Sequence, residues 1–107
     1  MIQYHLNIAF LFYFENLMNK KILTKYITEL SSNKGKVRFS QLLKICEHFF
    51  GNYRVSGSHH ILKTPWQGDP RINLQKGKDK NAKPYQVRQV LNGLRKLKEL
   101  EDKKNEQ

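Results

Sequence analysis

This chain has one cysteine, one tryptophan, three prolines and nine acidic residues among its 107 positions. The lone thiol, Cys46, excludes an internal disulfide and the paired thiolates of most structural zinc sites. It also suits a reducing compartment, so a cytoplasmic location is expected. No apolar run approaches the ~20 residues that span a bilayer. The longest, "IAFLFYF" (Ile8 to Phe14), has no preceding Lys or Arg and no small-residue cleavage site after it, so neither a leader peptide nor a membrane partner is expected. Met18, followed by "NKK", would make a natural start, which would leave the first seventeen residues as an extension with little structural role. A chain this short forms one domain, or one domain with an attached helix, around a small core.

The shortage of acid is the informative one. Twenty Lys and Arg face nine Asp and Glu, a net +11. From Lys36 to Lys96 there are thirteen basic side chains and three acidic ones (Glu47, Asp69, Asp79), a net +10. A field of that sign concentrates polyanions and speeds their encounter, so nucleic acid is the leading partner and a membrane surface trails it.

Leu17, Met18, Ile22, Leu23, Tyr26, Ile27 and Leu30 recur at helical spacing and predict an amphipathic helix over Leu17 to Ser31, accessory to the domain proper. Asn33 and Gly35 then read as stop signals. A second helix is expected from Ser40, a good cap, to Phe50, with Gly51 ending it. Asn52 to Ser56, His59 to Thr64 and Arg71 to Gln75 read as three strands of an antiparallel meander, the last two joined by the proline turn Pro65 to Pro70. "KGKDKNAK" (Lys76 to Lys83) is a basic loop, most simply a flexible solvated one. Pro84 suits the first turn of a last helix with the stripe Val87, Val90, Leu91, Leu94 and Leu97, after which a polar tail (residues 98–107) frays. The expected fold class is α+β, with residues 1–35 as an extension and 36–97 as the domain.

One stretch stands out. "YRVSGSHHILKTP" (Tyr53 to Pro65) places two of the four histidines side by side at the mouth of a hairpin. With the helix before it, the proline turn and third strand after it, and a last helix opening at Lys83-Pro84, it resembles the HicA-type toxins of bacterial toxin–antitoxin pairs. The resemblance covers roughly Val37 to Leu94. It implies a double-stranded-RNA-binding-domain-like α-β-β-β-α fold with two helices on one face of the sheet. It implies further a metal-independent mRNA endoribonuclease without a cofactor, and a HicB-type antitoxin that covers the active histidine. The catalytic position then falls on His59, with His60 beside it as the second candidate. One departure is visible: where many members carry Pro-x-His after the third strand, this chain reads Leu74-Gln75-Lys76.

RNA supplies its own nucleophile, the 2′-hydroxyl. Cleavage without metal needs a base near that hydroxyl, an acid near the leaving 5′-oxygen and cations around the phosphate. Histidine suits the proton work and Lys or Arg the charge work. Arg54, Gly57, Ser58, His59 and Lys63 make a candidate set, with Lys76, Lys78, Lys80, Lys83 and Arg88 as further phosphate contacts. Trp66 is suited to stacking on a base or to anchoring its turn, and Tyr85 opens the last helix. Alternation puts His59, Ile61 and Lys63 on one face and His60, Leu62 and Thr64 on the other, one apolar residue in each set, so periodicity leaves open which histidine faces out. Adjacent strand residues point apart, so no zinc site is expected from the pair; His5 and His48 have no matching partners. The competing expectation is a non-catalytic nucleic-acid-binding module on the same fold.

Overall fold

The computed structural model describes residues 8–33, 36–66, 68 and 71–105; His5, Gly35, Asp69 and Pro70 lie outside the described residues. The chain folds as α+β, with the order α1 (Ile8–Ser32), α2 (Phe39–Phe50), β1 (Arg54–Ser56), β2 (His59–Leu62), β3 (Ile72–Gln75) and α3 (Pro84–Asn105). The strands form one three-stranded antiparallel sheet in the order β1-β2-β3.

Helix α1 starts at Ile8, not near Leu17, because no glycine or proline interrupts the apolar run ahead of Leu17. Its first three turns are not amphipathic: Ile8, Phe10, Leu11, Phe12, Tyr13 and Phe14 are all half or more exposed. Its second half is embedded instead. Leu23 and Leu30 are buried in the same cluster as Val90, Leu91 and Leu94 of α3, with Tyr26 and Ile27 packed against it. Lys20 pairs with Asp102 at 2.7 Å, and Arg95 Nη2 donates to Ser31 Oγ at 3.2 Å. The rising number on α1 meets the falling number on α3, so the two helices run antiparallel.

Helix α2 does not use Ser40 as its cap. Arg38 holds the cap position in extended geometry (φ −70°, ψ 144°) without a side-chain bond, and the amide of Phe39 is satisfied by the carbonyl of Lys80 at 2.9 Å. Ala82 N donates to Val37 O at 2.7 Å, completing a bridge in which Arg38 pairs with Asn81. The expected flexible loop is therefore tied at its far end to the entrance of α2. Gly51 ends the helix at φ +89°, a conformation that suits glycine.

Leu62, Ile72 and Leu74 are buried on the sheet face that α2 and α3 cover, while Ile61 and Asn73 point the other way. The strands are shorter than expected: Asn52, Tyr53, Lys63, Thr64 and Arg71 lie outside the ladders. Helix α3 buries Val87, Val90, Leu91 and Leu94 almost completely, with Leu97 at the margin. It continues through Asn105 rather than fraying after Leu97, because Asp102 ties Lys98 within the helix and Lys20 across to α1. Gly93 in mid-helix costs about 1 kcal/mol relative to alanine. A Cβ there would stand 3.2 Å from Phe50 Cζ and 3.3 Å from Ile72 Cδ1, so the missing side chain admits helix and sheet to close contact.

Candidate active site

The register separates the two histidines. His59 lies opposite Ser56 on β1 and Gln75 on β3, and His60 opposite Val55 and Leu74. Directly opposed residues share a face, so His60 belongs to the Leu74 side, toward the helices, and His59 to the open side. The His60 ring makes edge contacts with Phe39 and Tyr53, at 5.4 and 4.9 Å between centroids. Its Nδ1 is buried without a hydrogen-bond partner. His60, the second catalytic candidate, is half-buried like His59, with that one nitrogen enclosed beside the two rings.

On the open face, His59 Nδ1 lies 3.0 Å from Asn73 Oδ1. An amide oxygen only accepts, so the contact calls for a proton on Nδ1, and in the neutral ring the lone pair then falls on Nε2. The turn that delivers His59 is specific: Ser56 pairs with His59 across the two residues Gly57 and Ser58, and Gly57 alone has positive φ, +61°. This is the glycine-first, type II′ hairpin, whose twist matches that of the strands. Glycine is needed there for the turn itself. Ser58 Oγ accepts from Gln75 Nε2 at 2.8 Å, tying the hairpin tip to β3. Gln75, a departure from the toxin pattern, thereby has a structural role.

A groove of about 300 Å³ opens beside His59, with Asn73 and Gln75 on the sheet side and Tyr85, Gln86 and Gln89 on α3. Gln86 is 1% exposed, and its Nε2 donates to the carbonyl of Gln75 at 2.9 Å, locking the first turn of α3 to the end of β3. Neither Gln86 nor Asn73 was singled out from sequence. The available signal was a lone amide directly beside the apolar stripe of α3, and an amide on the outward face of β3.

The basic candidates surround this groove without lining it. Arg54 stands exposed on β1 opposite Ile61, on the open face. Lys76 directly follows the end of β3; Lys76, Lys78, Lys80 and Lys83 are all exposed, and the Lys83 side chain lies over Gly77. Lys63 lines a separate hollow with Thr64, Gly68 and Arg71. Arg88 is exposed but is not part of the groove wall. Trp66 packs edge-on against Phe50 at 6.0 Å between centroids, with Lys96 Nζ 4.8 Å from its ring centre. His48 is exposed on α2 against Phe49.

A hollow of about 660 Å³ lies elsewhere, between α1 and α2, and is lined by Ile22, Lys25, Tyr26, Ser40, Lys44 and His48 among others. It contains neither His59 nor any strand residue. Cys46 is fully buried, and burial, with a smaller contribution from the charge of Glu47, pushes its thiol up to about 12. That leaves it protonated and unreactive in the native fold. Among the described residues, no three His, Cys, Asp or Glu side chains gather into a possible metal site, and no helix is long and apolar enough to cross a membrane. Comparison of the chain with protein-family models, with curated proteins and with solved structures found no match in any of the three.

Proposed function

We propose that the chain is a metal-independent endoribonuclease of the HicA toxin type, with a double-stranded-RNA-binding-domain-like core, acting on mRNA in the cytoplasm. The observation that carries this reading is the His59–Asn73 contact at 3.0 Å on the open face of the sheet. In the neutral ring that contact puts the lone pair on Nε2, beside a groove and inside the segment that holds a net +10. His59 Nε2 takes the proton from a ribose 2′-hydroxyl, and the freed oxygen attacks the neighbouring phosphorus. The P–O bond to the 5′-oxygen breaks, giving a 2′,3′-cyclic phosphate and a 5′-hydroxyl. Tyr85 is the one other proton acid lining the groove and serves the leaving oxygen. Arg54, Lys76, Lys78, Lys80 and Lys83, exposed around the groove, hold the flanking phosphates and supply the positive field that favours the charge building on the pentacoordinate phosphorus, and Lys63 holds a phosphate farther along the strand. A HicB-like antitoxin would silence the enzyme by covering His59.

A second reading, a binding module without catalysis, is favoured by one observation: the groove holds a single histidine, with Gln75 and Lys76 where relatives carry the Pro-x-His element. Inducible expression separates the two. Wild type should arrest growth and fragment mRNA, and His59→Ala should do neither. Intact RNA in wild-type cells would sink the catalytic reading and leave the binding one.

A further inference from the structure

Three hollows on the surface share walls. The groove at His59 and a second hollow of about 250 Å³ at Trp66 have Gln89 in common. The hollow at Trp66 and a third of about 200 Å³ at Lys63 have Arg71 in common. Their α3 walls include Tyr85, Gln89, Asn92 and Lys96, spaced at i, i+4, i+7 and i+11, which is one continuous stripe of a helix, with Gln86 and Gly93 alongside it. This polar stripe runs beside the buried stripe of Val87, Val90, Leu91 and Leu94. At 1.5 Å per residue it is about 16 Å long.

We infer that this trough is the track of a single-stranded RNA segment, running from the cleavage groove at His59 along α3 to an aromatic, cationic subsite at Trp66. The inference rests on the endoribonuclease reading and extends it to substrate form and polarity of the site. The chemistry changes along the track in the way a single strand requires. At the His59 end the walls are uncharged amides and a tyrosine, which offer both donors and acceptors to a base edge. At the far end are an indole and three cations, Lys63, Arg71 and Lys96, suited to a stacked base and its flanking phosphates. The Trp66 ring is held edge-on by Phe50, so its orientation is set before any ligand arrives. Lys96 is exposed at the end of a flexible stem and exchanges the indole face for a phosphate when a base stacks there. A duplex presents no unstacked bases to an indole, whereas a single strand does.

Trp66 is the single tryptophan, so its emission reports on the far end of the track alone. The test uses wild-type protein and 2′-O-methyl oligonucleotides, which lack the nucleophile and are not cleaved. Binding is followed by anisotropy of a labelled end, in parallel with Trp66 emission. An eight-nucleotide single strand should quench Trp66 saturably, with a midpoint that weakens as salt rises. A dinucleotide, too short to span about 16 Å and hold both ends of the track, should quench Trp66 only at far higher concentration than the octamer. Trp66→Ala, with folding checked by circular dichroism, should weaken octamer binding about five- to a hundredfold, the range for loss of one base–aromatic stack. Octamer binding with unchanged Trp66 emission would overturn the track while leaving the cleavage reading intact. Equal or tighter binding of the matching duplex would overturn the single-stranded occupant. Absence of any RNA binding would also overturn it, and growth arrest by wild type would then show independently whether cleavage stands.

Discussion

Oδ1 of Asn73 sits 3.0 Å from Nδ1 of His59, across the diagonal of the β2–β3 pairing. In that ladder His59 is directly opposed by Gln75 and Asn73 by Ile61, so the contact requires the ring to lean along its own strand. Asn73→Ala should leave the fold intact and reduce cleavage through loss of the tautomer, appearing in kcat more than in KM. Asn73→Asp should move the acid limb of the pH–rate profile upward, because a nearby negative charge favours the imidazolium and postpones the free base to higher pH. An unchanged limb in Asn73→Asp would show that the contact plays no part in the chemistry.

The two histidines should separate cleanly by assay. His59→Ala should lower cleavage by about 10²- to 10⁴-fold, the usual range for one positioned proton-transfer group, with little change in thermal stability. His60→Ala removes a ring packed between Phe39 and Tyr53, and should lower stability by about 1–3 kcal/mol while retaining activity in the folded fraction. Denaturant unfolding beside single-turnover cleavage measures both. The reverse pattern would place the catalytic group on the wrong face.

Gly57→Ala tests whether the turn positions His59. A Cβ at φ +61° meets no neighbouring atom, so the whole effect is backbone strain, about 1–2 kcal/mol. Because the strain sits next but one to His59, cleavage should fall along with stability. Gly57→Asn, which tolerates the left-handed region better, should recover much of both.

The ion pair between the helices predicts an acid dependence. The side-chain bond to Lys20, with Lys98 assisting, holds the Asp102 carboxyl below the usual carboxylate range. A carboxylate depressed in the folded state stabilises the fold above its unfolded value of ~3.9, and that contribution is lost as pH falls through the folded value. Asp102→Asn should therefore melt lower than wild type at pH 7, and the two melting curves should converge in acid strong enough to protonate the folded carboxyl. A gap that persists at that pH would assign the effect to packing instead.

Much of this architecture could be read from the chain, because the apolar period changes from helical to alternating and back at glycine and proline boundaries. The misreadings have particular causes. Ser40 has the right chemistry for a cap, but the carbonyl of Lys80, forty residues on, takes the same role, and no local pattern reports a backbone bridge of that separation. His59 and His60 each have one apolar neighbour on their own face, so only the pairing with Leu74 and Gln75 distinguishes them. The trough along α3 does not show in the charge pattern because amides form much of its wall: Arg88 is exposed beside it, whereas Gln89 and Asn92 line it. Asn73 and Gln75 gain their roles from partners fourteen and seventeen positions away, His59 and Ser58.

The antiparallel seating of α1 on α3 also sets an order of events during synthesis. Arg95 and Ser31, joined in the folded state, are 64 positions apart in the chain. At about 5–20 residues per second, α1 waits several seconds on the ribosome before α3 is available. Through that interval Leu23 and Leu30 have no helix to close over them, and the exposed aromatic turns from Phe10 to Phe14 extend the same helix. The nascent chain is therefore stickiest before it is finished, when a chaperone or a second nascent chain is the surface nearest to hand. The groove at His59 is assembled only after β3, once its α3 wall has emerged.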